Sequence, residues 1–433
     1  MKRVSMVAVL LLTISVLTFG GGKAESTTKE VTSTEQVELT VWADSFFTPK
    51  WQGTQGPVLD EIWRDFEQKE NVKLKLELVP YPEFQAKLLT ALSAKNPPDM
   101  AIADQYWLAS LVSTGGVQDI GAYWPEADRK DFFDWAVDGV TIDKKVYGIW
   151  YTTDARVLFY RKDLLKAAGY SEPPKTWDEL YEMAKKLTTK DTYGMGMVLA
   201  GEGGMCTLLI DYWSLGGELV DISGKPVFNS GKNKESMIKV MEFYKKLYDE
   251  KLIPSDSITY MSENDMNPRI FGGGYATFFG GGWQIGNIKD NVSKDIASQW
   301  DIALRPIAKD GRPSSLTGGF DLNVFTADPV KKEKAVKFIL HLSNPINGAK
   351  FAAASNGLPV RKSVYMNDSF FSTDYYMRKY TGILPYARTR PNSVAYPIIS
   401  ESVTKALGEF ISGQKSADKA LADAEKTILA KMK

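Results

Sequence analysis

The sequence predicts an α/β protein made of two lobes, each a mostly parallel sheet flanked by helices, and three observations carry that expectation. The chain has 433 residues, 44% apolar and 24% charged, which is ordinary globular composition in a chain too long for one hydrophobic core. From Val37 to Asp104, short runs of strand character alternate with segments of helical spacing. A second unit of the same kind starts after Tyr147, Gly148, Ile149 and Trp150. Such alternation implies parallel strands with helices on the faces of the sheet.

Taken in order, the first segment reads as an export signal over residues 1–24: Lys2 and Arg3, an apolar run from Val4 to Phe19, then the small residues Gly20, Gly21, Gly22 and Ala24. The run is short for a membrane span, so cleavage near Gly22 to Ala24 is expected, with an uncleaved anchor as the alternative. Residues 25–36 are almost all Ser, Thr, Glu, Lys and Gln and are expected to form a disordered leader. A lipid anchor needs a cysteine at the cleavage point, and that region has none. The expected product is a soluble protein, periplasmic or on the extracellular face.

Val37, Leu39 and Val41 alternate as a strand that ends at Trp42, Ala43 and Asp44. Leu59, Ile62, Trp63 and Phe66 take helical spacing after Pro57, which suits a first helical turn. Val72, Leu74, Leu76 and Leu78 alternate with charged residues and are closed by Pro80 and Pro82. Phe84, Leu88, Ala91 and Leu92 form the next helical stripe, stopped by Pro97 and Pro98, and Met100 to Ala103 is a buried strand ending on Asp104. Further on, Thr176 and Glu179 have capping-box spacing ahead of the apolar stripe Trp177, Leu180, Ala184 and Leu187. Tyr275 to Phe279 reads as a strand between two glycine runs.

Composition excludes several kinds of chemistry. Lys plus Arg and Asp plus Glu both total 53, so no net field would hold nucleic acid or an anionic membrane. Cys206 is the one cysteine and His341 the one histidine, which removes disulfide frameworks, Cys/His zinc sites and His-dependent triads. His341, within an apolar helical stretch, is expected to be a hydrogen-bonded helix residue. No catalytic constellation, metal site or cofactor is expected.

Open α/β sheets bind ligands beyond the carboxyl ends of their strands, where Asp44 and Asp104 stand; a lone Asp there also commonly caps a turn. Trp283 directly follows the glycine run Gly280 to Gly282, where small residues let backbone approach a ligand and the indole would offer a flat apolar face. A core tryptophan is the alternative. Tyr106, Trp107, Trp150, Tyr151, Tyr386 and Tyr396 also sit beside polar loop residues. Aromatic plates among carboxylates and guanidinium groups suit sugar rings, which have apolar faces and polar rims. Paired carboxylates would also suit a glycoside-acting enzyme, and the adjacent Tyr375 and Tyr376 would suit ferric iron.

An ordered set of motifs then resembles bacterial extracellular solute-binding protein family 1, the sugar-binding components of ABC importers related to maltose-binding protein. It runs from Asn96-Pro97-Pro98-Asp99 and Gly116-Val117-Gln118-Asp119-Ile120 through Tyr147-Gly148-Ile149-Trp150-Tyr151 and Leu158 to Leu164. It continues with Ala168-Gly169-Tyr170, Pro173-Pro174-Lys175-Thr176-Trp177-Asp178-Glu179-Leu180, Gly216-Gly217-Glu218-Leu219 and Phe271 to Trp283. Gly357-Leu358-Pro359-Val360-Arg361-Lys362 and Ala387-Arg388-Thr389-Arg390-Pro391 complete it.

The resemblance implies a type II periplasmic-binding-protein fold whose hinge is crossed three times, near Asp154, Gly318 and Tyr365. The N-terminal lobe would comprise 37–154 and 318–365, and the C-terminal lobe 155–317 and 366–433. Ligand contacts carried over from relatives are Asp44, Asp104, Tyr151, Trp283, Gly319 and Arg361, with Tyr106 and Trp107 beside Asp104; Asp104 and Trp283 are expected to face each other across the cleft. The family usually has Pro at Trp150, which would reshape the hinge-side wall, and Asn at Arg161, expected at the surface. The implied function is non-enzymatic capture of a sugar or oligosaccharide by a monomer that closes about its hinge, with permease and ATPase on other chains. Polyols, glycerol phosphoesters and ferric iron remain alternatives.

Overall fold

The computed structural model describes residues 36–50, 53–221, 223–355 and 357–432. The expected signal peptide 1–24 and leader, up to residue 35, lie outside the described residues. Among the described residues no helix is long and apolar enough to cross a membrane.

The main strands, in chain order, are β1 (Val37–Ala43), β2 (Val72–Leu78), β3 (Met100–Asp104), β4 (Ile149–Thr153), β5 (Val157–Arg161), β6 (Tyr193–Gly196), β7 (Tyr275–Gly280), β8 (Trp300–Ala303) and β9 (Gly319–Val324). They form two sheets, one ordered β2-β1-β3-β9-β4 and the other β8-β5-β7-β6. β1 pairs in parallel with both β2 and β3, as the alternation from Val37 to Asp104 predicts. β9 is antiparallel to both its neighbours, β3 and β4. In the second sheet β5 is antiparallel to β7 and β8, while β6 and β7 are parallel. Each sheet therefore holds a single reversed strand. Both reversed strands have the same origin: β5 follows β4 after three residues, and β9 follows Thr317 and Gly318, so each has just arrived from the other lobe. Phe320 of β9 is in register with Asp104 of β3. A strand that enters at the edge where its neighbours finish has to run against them.

The segments between the sheets lie side by side. Thr153 and Leu358 exchange backbone hydrogen bonds at 3.0 and 2.9 Å, and Arg156 N–H donates to Leu316 O at 3.0 Å. The Thr153 hydroxyl bonds Gly318 O at 2.7 Å and also meets the Thr317 hydroxyl. A third connection follows Pro359: Val360 packs in the core around β1 and β3, whereas Val364 and Tyr365 pack with Phe278 and Trp300.

The cores follow the apolar stripes. Ile62, Trp63 and Phe66 of the helix Gln55–Glu70 pack with Leu39, Val41 and Phe338 in the first lobe. Trp177, Leu180, Ala184 and Leu187 are the buried face of the helix Trp177–Leu187, whose capping box between Thr176 and Glu179 is formed on both sides. Burying each large apolar side chain contributes about 1.5 to 3 kcal/mol.

His341 lies in the helix Pro329–Leu342 with Nε2 3.1 Å from Ile62 O. The Tyr375 hydroxyl donates to Asp301 Oδ2 at 2.6 Å and the Tyr376 hydroxyl to Trp300 O at 2.9 Å, so the two phenols address different groups. Arg161 departs from its expected surface position: it is 7% exposed. It ends the fully buried strand β5, which leaves its side chain inside, with Nε and Nη2 on Asp163 at 2.8 and 2.6 Å.

Candidate functional site: the interlobe floor

The carboxyl edge of the first sheet delivers its side chains to the surface facing the second lobe. β3 ends on Asp104, and β2 runs through Val79 and Pro80 into the helix Tyr81–Ser93. Pro80 breaks the strand and sets Tyr81 at the first helical turn. Its hydroxyl donates to Asp104 Oδ2 at 2.9 Å. The Tyr81 ring lies 5.3 Å from Trp107 and 6.3 Å from Phe320, and Phe320 lies 4.0 Å from Phe47, so the edge carries a row of aromatic rings.

From the second lobe, Arg390 Nη2 donates to Asp104 Oδ1 at 2.9 Å while Nη1 donates to Glu202 Oε1 at 3.2 Å. Glu202, in the first turn of the helix Gly201–Ser214, also accepts from the Tyr396 hydroxyl and the Ser400 hydroxyl, both at 2.7 Å. The Arg390 guanidinium lies 4.5 Å from the Tyr106 ring centre, and Tyr106 meets Tyr396 edge-on at 6.2 Å. Beside this pair, Arg156 donates to Asp154 Oδ1 at 2.5 Å and to Glu263 Oε1 at 3.2 Å, and its guanidinium lies 4.9 Å from the Trp283 ring. The indole N–H of Trp283 donates to Asn264 Oδ1 at 3.2 Å.

The two guanidiniums converge on Gly318. A Cβ there would lie 2.7 Å from Arg156 Nη1 and 3.1 Å from Arg390 Nη2, so the glycine makes room for both. Burial raises the Asp104 carboxyl above its ordinary value, and Arg390 and the Tyr81 hydroxyl pull it part of the way back. Burial, reinforced by Asp104, also pushes the Tyr106 hydroxyl well up, so it stays a neutral donor.

Asp104, Tyr106 and Trp283 are thus brought to one floor, linked by Arg390 and Arg156. The remaining candidates sit differently. Asp44 caps a turn: its carboxylate accepts from Phe46 N–H and Tyr81 N–H, each at 3.0 Å. Trp107 is a core residue behind the floor, packed on Phe84. Tyr151 is stacked on Phe351 at 4.7 Å inside the first lobe. Gly319 has φ +148°, and a Cβ there would lie 2.2 Å from Thr152 O and 2.9 Å from the Trp150 ring. Trp150 stands behind that glycine, edge-on to Trp135 at 5.4 Å. Arg361 has no free donor edge toward the floor: it is 3% exposed, with Nη1 and Nη2 on Asp128 at 2.8 and 3.0 Å, Nε on Ser343 O and its face 4.3 Å from Phe132.

Arg390 stands in a motif of the ordered set but was not singled out there, and Arg156, Glu202 and Glu263 carried no motif signal at all. Arg156 is two residues past the expected hinge crossing at Asp154, which is the one local cue that points to it.

The profile of the bacterial extracellular solute-binding protein family matches residues 61–377, more than half of the chain. The chain belongs to that family. It is 28% identical over 387 residues to the diacetylchitobiose binding protein DasA of Streptomyces coelicolor, covering 84% of this chain and 83% of that protein. Among solved structures, the maltose-bound T. maritima MalE3 superposes with a TM-score of 0.76 at 26% identity, covering 90% of this chain and 99% of the other. A solute-binding protein from Thermotoga lettingae bound with alpha-D-tagatose gives a TM-score of 0.76 at 26% identity, with 90% and 98% covered. The fold of this solute-binding protein is the two-lobed α/β periplasmic-binding-protein architecture, and these relatives are binding proteins.

Proposed function

We propose that this chain is the exported ligand-capturing component of an ABC importer and that it holds a sugar or short oligosaccharide between its lobes, at the floor formed by Asp104, Tyr106, Arg390, Arg156 and Trp283. The observation that carries this reading is the meeting, at the hinge glycine Gly318, of hydrogen-bonding charges from both lobes with the Trp283 and Tyr106 rings. Carboxylates accept sugar hydroxyls in charge-assisted bonds, and the ring faces cover the apolar side of a sugar.

In this reading the lobes are 37–154 with 318–365 and 155–317 with 366–433. A ligand that touches both stabilises the closed form by its differential contacts. The chain acts as a monomer without cofactor and returns the sugar chemically unchanged to permease and ATPase subunits on other chains. Its kinship with the maltose- and tagatose-bound proteins supports the ligand class and leaves ligand size open, since those two differ in it.

A thermal-shift panel of mono- and oligosaccharides, polyols, glycerol phosphoesters and ferric iron tests the proposal. A saccharide at about a hundred times its Kd adds roughly 2.7 kcal/mol of stability. Chromatography of the recovered sugar should show it intact. A hydrolysed oligosaccharide, or stabilisation by iron alone, would refute the reading.

A further inference from the structure

We propose that the interlobe floor selects neutral and amino sugars and rejects acidic ones; this rests on the reading that the ligand binds at that floor. The argument is one of charge and commitment. Arg156 and Arg390 are the floor's cations, with side chains 10% and 3% exposed. Each is already divided between two carboxylates, Arg156 between Asp154 and Glu263 and Arg390 between Asp104 and Glu202. Four carboxylates thus face two guanidiniums, so the negative groups outnumber the positive.

An incoming carboxylate or phosphate is held most strongly by a guanidinium that is not already divided between carboxylates. At the helix start nearest Arg390 the positive end is also taken: Glu202 occupies the first turn of the helix Gly201–Ser214. The next cation along the same segment, Arg388, is paired with Glu218 at 2.9 Å and lies 4.7 Å from the Trp213 ring. An acidic sugar would therefore add a charge to a site with a surplus of the same sign, at low local dielectric where like charges repel most strongly. A neutral sugar meets acceptors for its hydroxyls. An ammonium group meets the surplus favourably.

The test is titration calorimetry of the full chain with matched triples of disaccharides, each in a neutral form, a form carrying a C6 carboxylate and a form carrying a free amine. The neutral or amino member should bind about tenfold or more tightly than the uronate of the same triple. Glu202→Gln should narrow that ratio, because it removes one surplus charge and frees part of Arg390, and Asp154→Asn should narrow it through Arg156 if Glu202→Gln does not fold. A uronate that binds as tightly as its neutral partner overturns the selection and leaves the sugar reading standing, as does a ratio that neither variant changes. Absence of binding by every member of every triple overturns the sugar reading itself, and the selection with it.

Discussion

Arg390, held among Glu202 and Tyr396 of the second lobe, donates to Asp104 at the end of β3 in the first lobe at 2.9 Å, and both side chains are nearly buried. Desolvating the two charges offsets much of their attraction, but removing one partner leaves the other uncompensated, a cost of about 3 to 5 kcal/mol in buried pairs. Because this pair joins the end of β3 to the segment after Arg388, that cost falls on the arrangement in which the two meet. Asp104→Asn keeps the shape and removes the charge. It should weaken sugar binding by about 2 kcal/mol and enlarge the radius of gyration of the sugar-free protein in small-angle scattering. Unchanged values for both would remove the pair from the mechanism.

Trp283 is half-buried against Arg156 and acts through its face. Trp283→Ala should cost about 2 to 4 kcal/mol of binding, as at aromatic hot spots, and Trp283→Phe less, since a smaller ring still stacks. Melting temperatures should stay close to that of the parent chain. A sharp fall in melting temperature with normal binding by the surviving fold would make Trp283 a core residue.

Arg361 is expected to behave in the opposite way. Its guanidinium ties Asp128 and Asp131 to the Pro359-Val360 turn, so Arg361→Ala should destabilise the fold by about 3 kcal/mol and leave the affinity of the folded fraction unchanged. Denaturant melts combined with calorimetry separate the two effects.

Asp321 on β9 predicts a pH dependence. It is fully buried, accepts from Asn323 at 2.8 Å, and has one carboxyl oxygen without a protein partner. Burial pushes its pKa from 3.8 up to about 7, with the Asp104 charge adding to the shift. A carboxyl with a raised folded-state pKa binds its proton more tightly in the folded chain, so its contribution is fully present below about pH 4 and is lost as pH rises through about 7. Its ionisation should cost on the order of 4 kcal/mol by pH 8. Asp321→Asn, which can still accept from Asn323, should raise the melting temperature at pH 8 and leave it nearly unchanged at pH 4. An equal effect at both pH values would contradict this.

Much of the fold was legible because it rests on local signals. The alternation in Val37 to Val41 and Val72 to Leu78, the Pro80 and Pro97 breaks and the Thr176 to Glu179 box each act over a few residues. The reversal of β5 and β9 was not legible, because it comes from the chain crossing between lobes and leaves no periodicity of its own. The site divides the same way. The place of Asp104 at the end of β3 was legible because a strand end is a local feature, whereas Arg390, which donates to it, stands 286 positions away. The direction of the Arg361 guanidinium was not legible because a motif carries no information on which way such a group turns, and here Asp128 and Asp131 hold it.

The most direct test of the account is a crystal structure of the chain with the neutral saccharide that gives the largest thermal shift. The account predicts one saccharide between the lobes, with a hydroxyl bonded to Asp104 or Arg390 and a ring face against Trp283. A saccharide seated on the outer face of either lobe, with the floor between Asp104 and Trp283 unchanged, would contradict it.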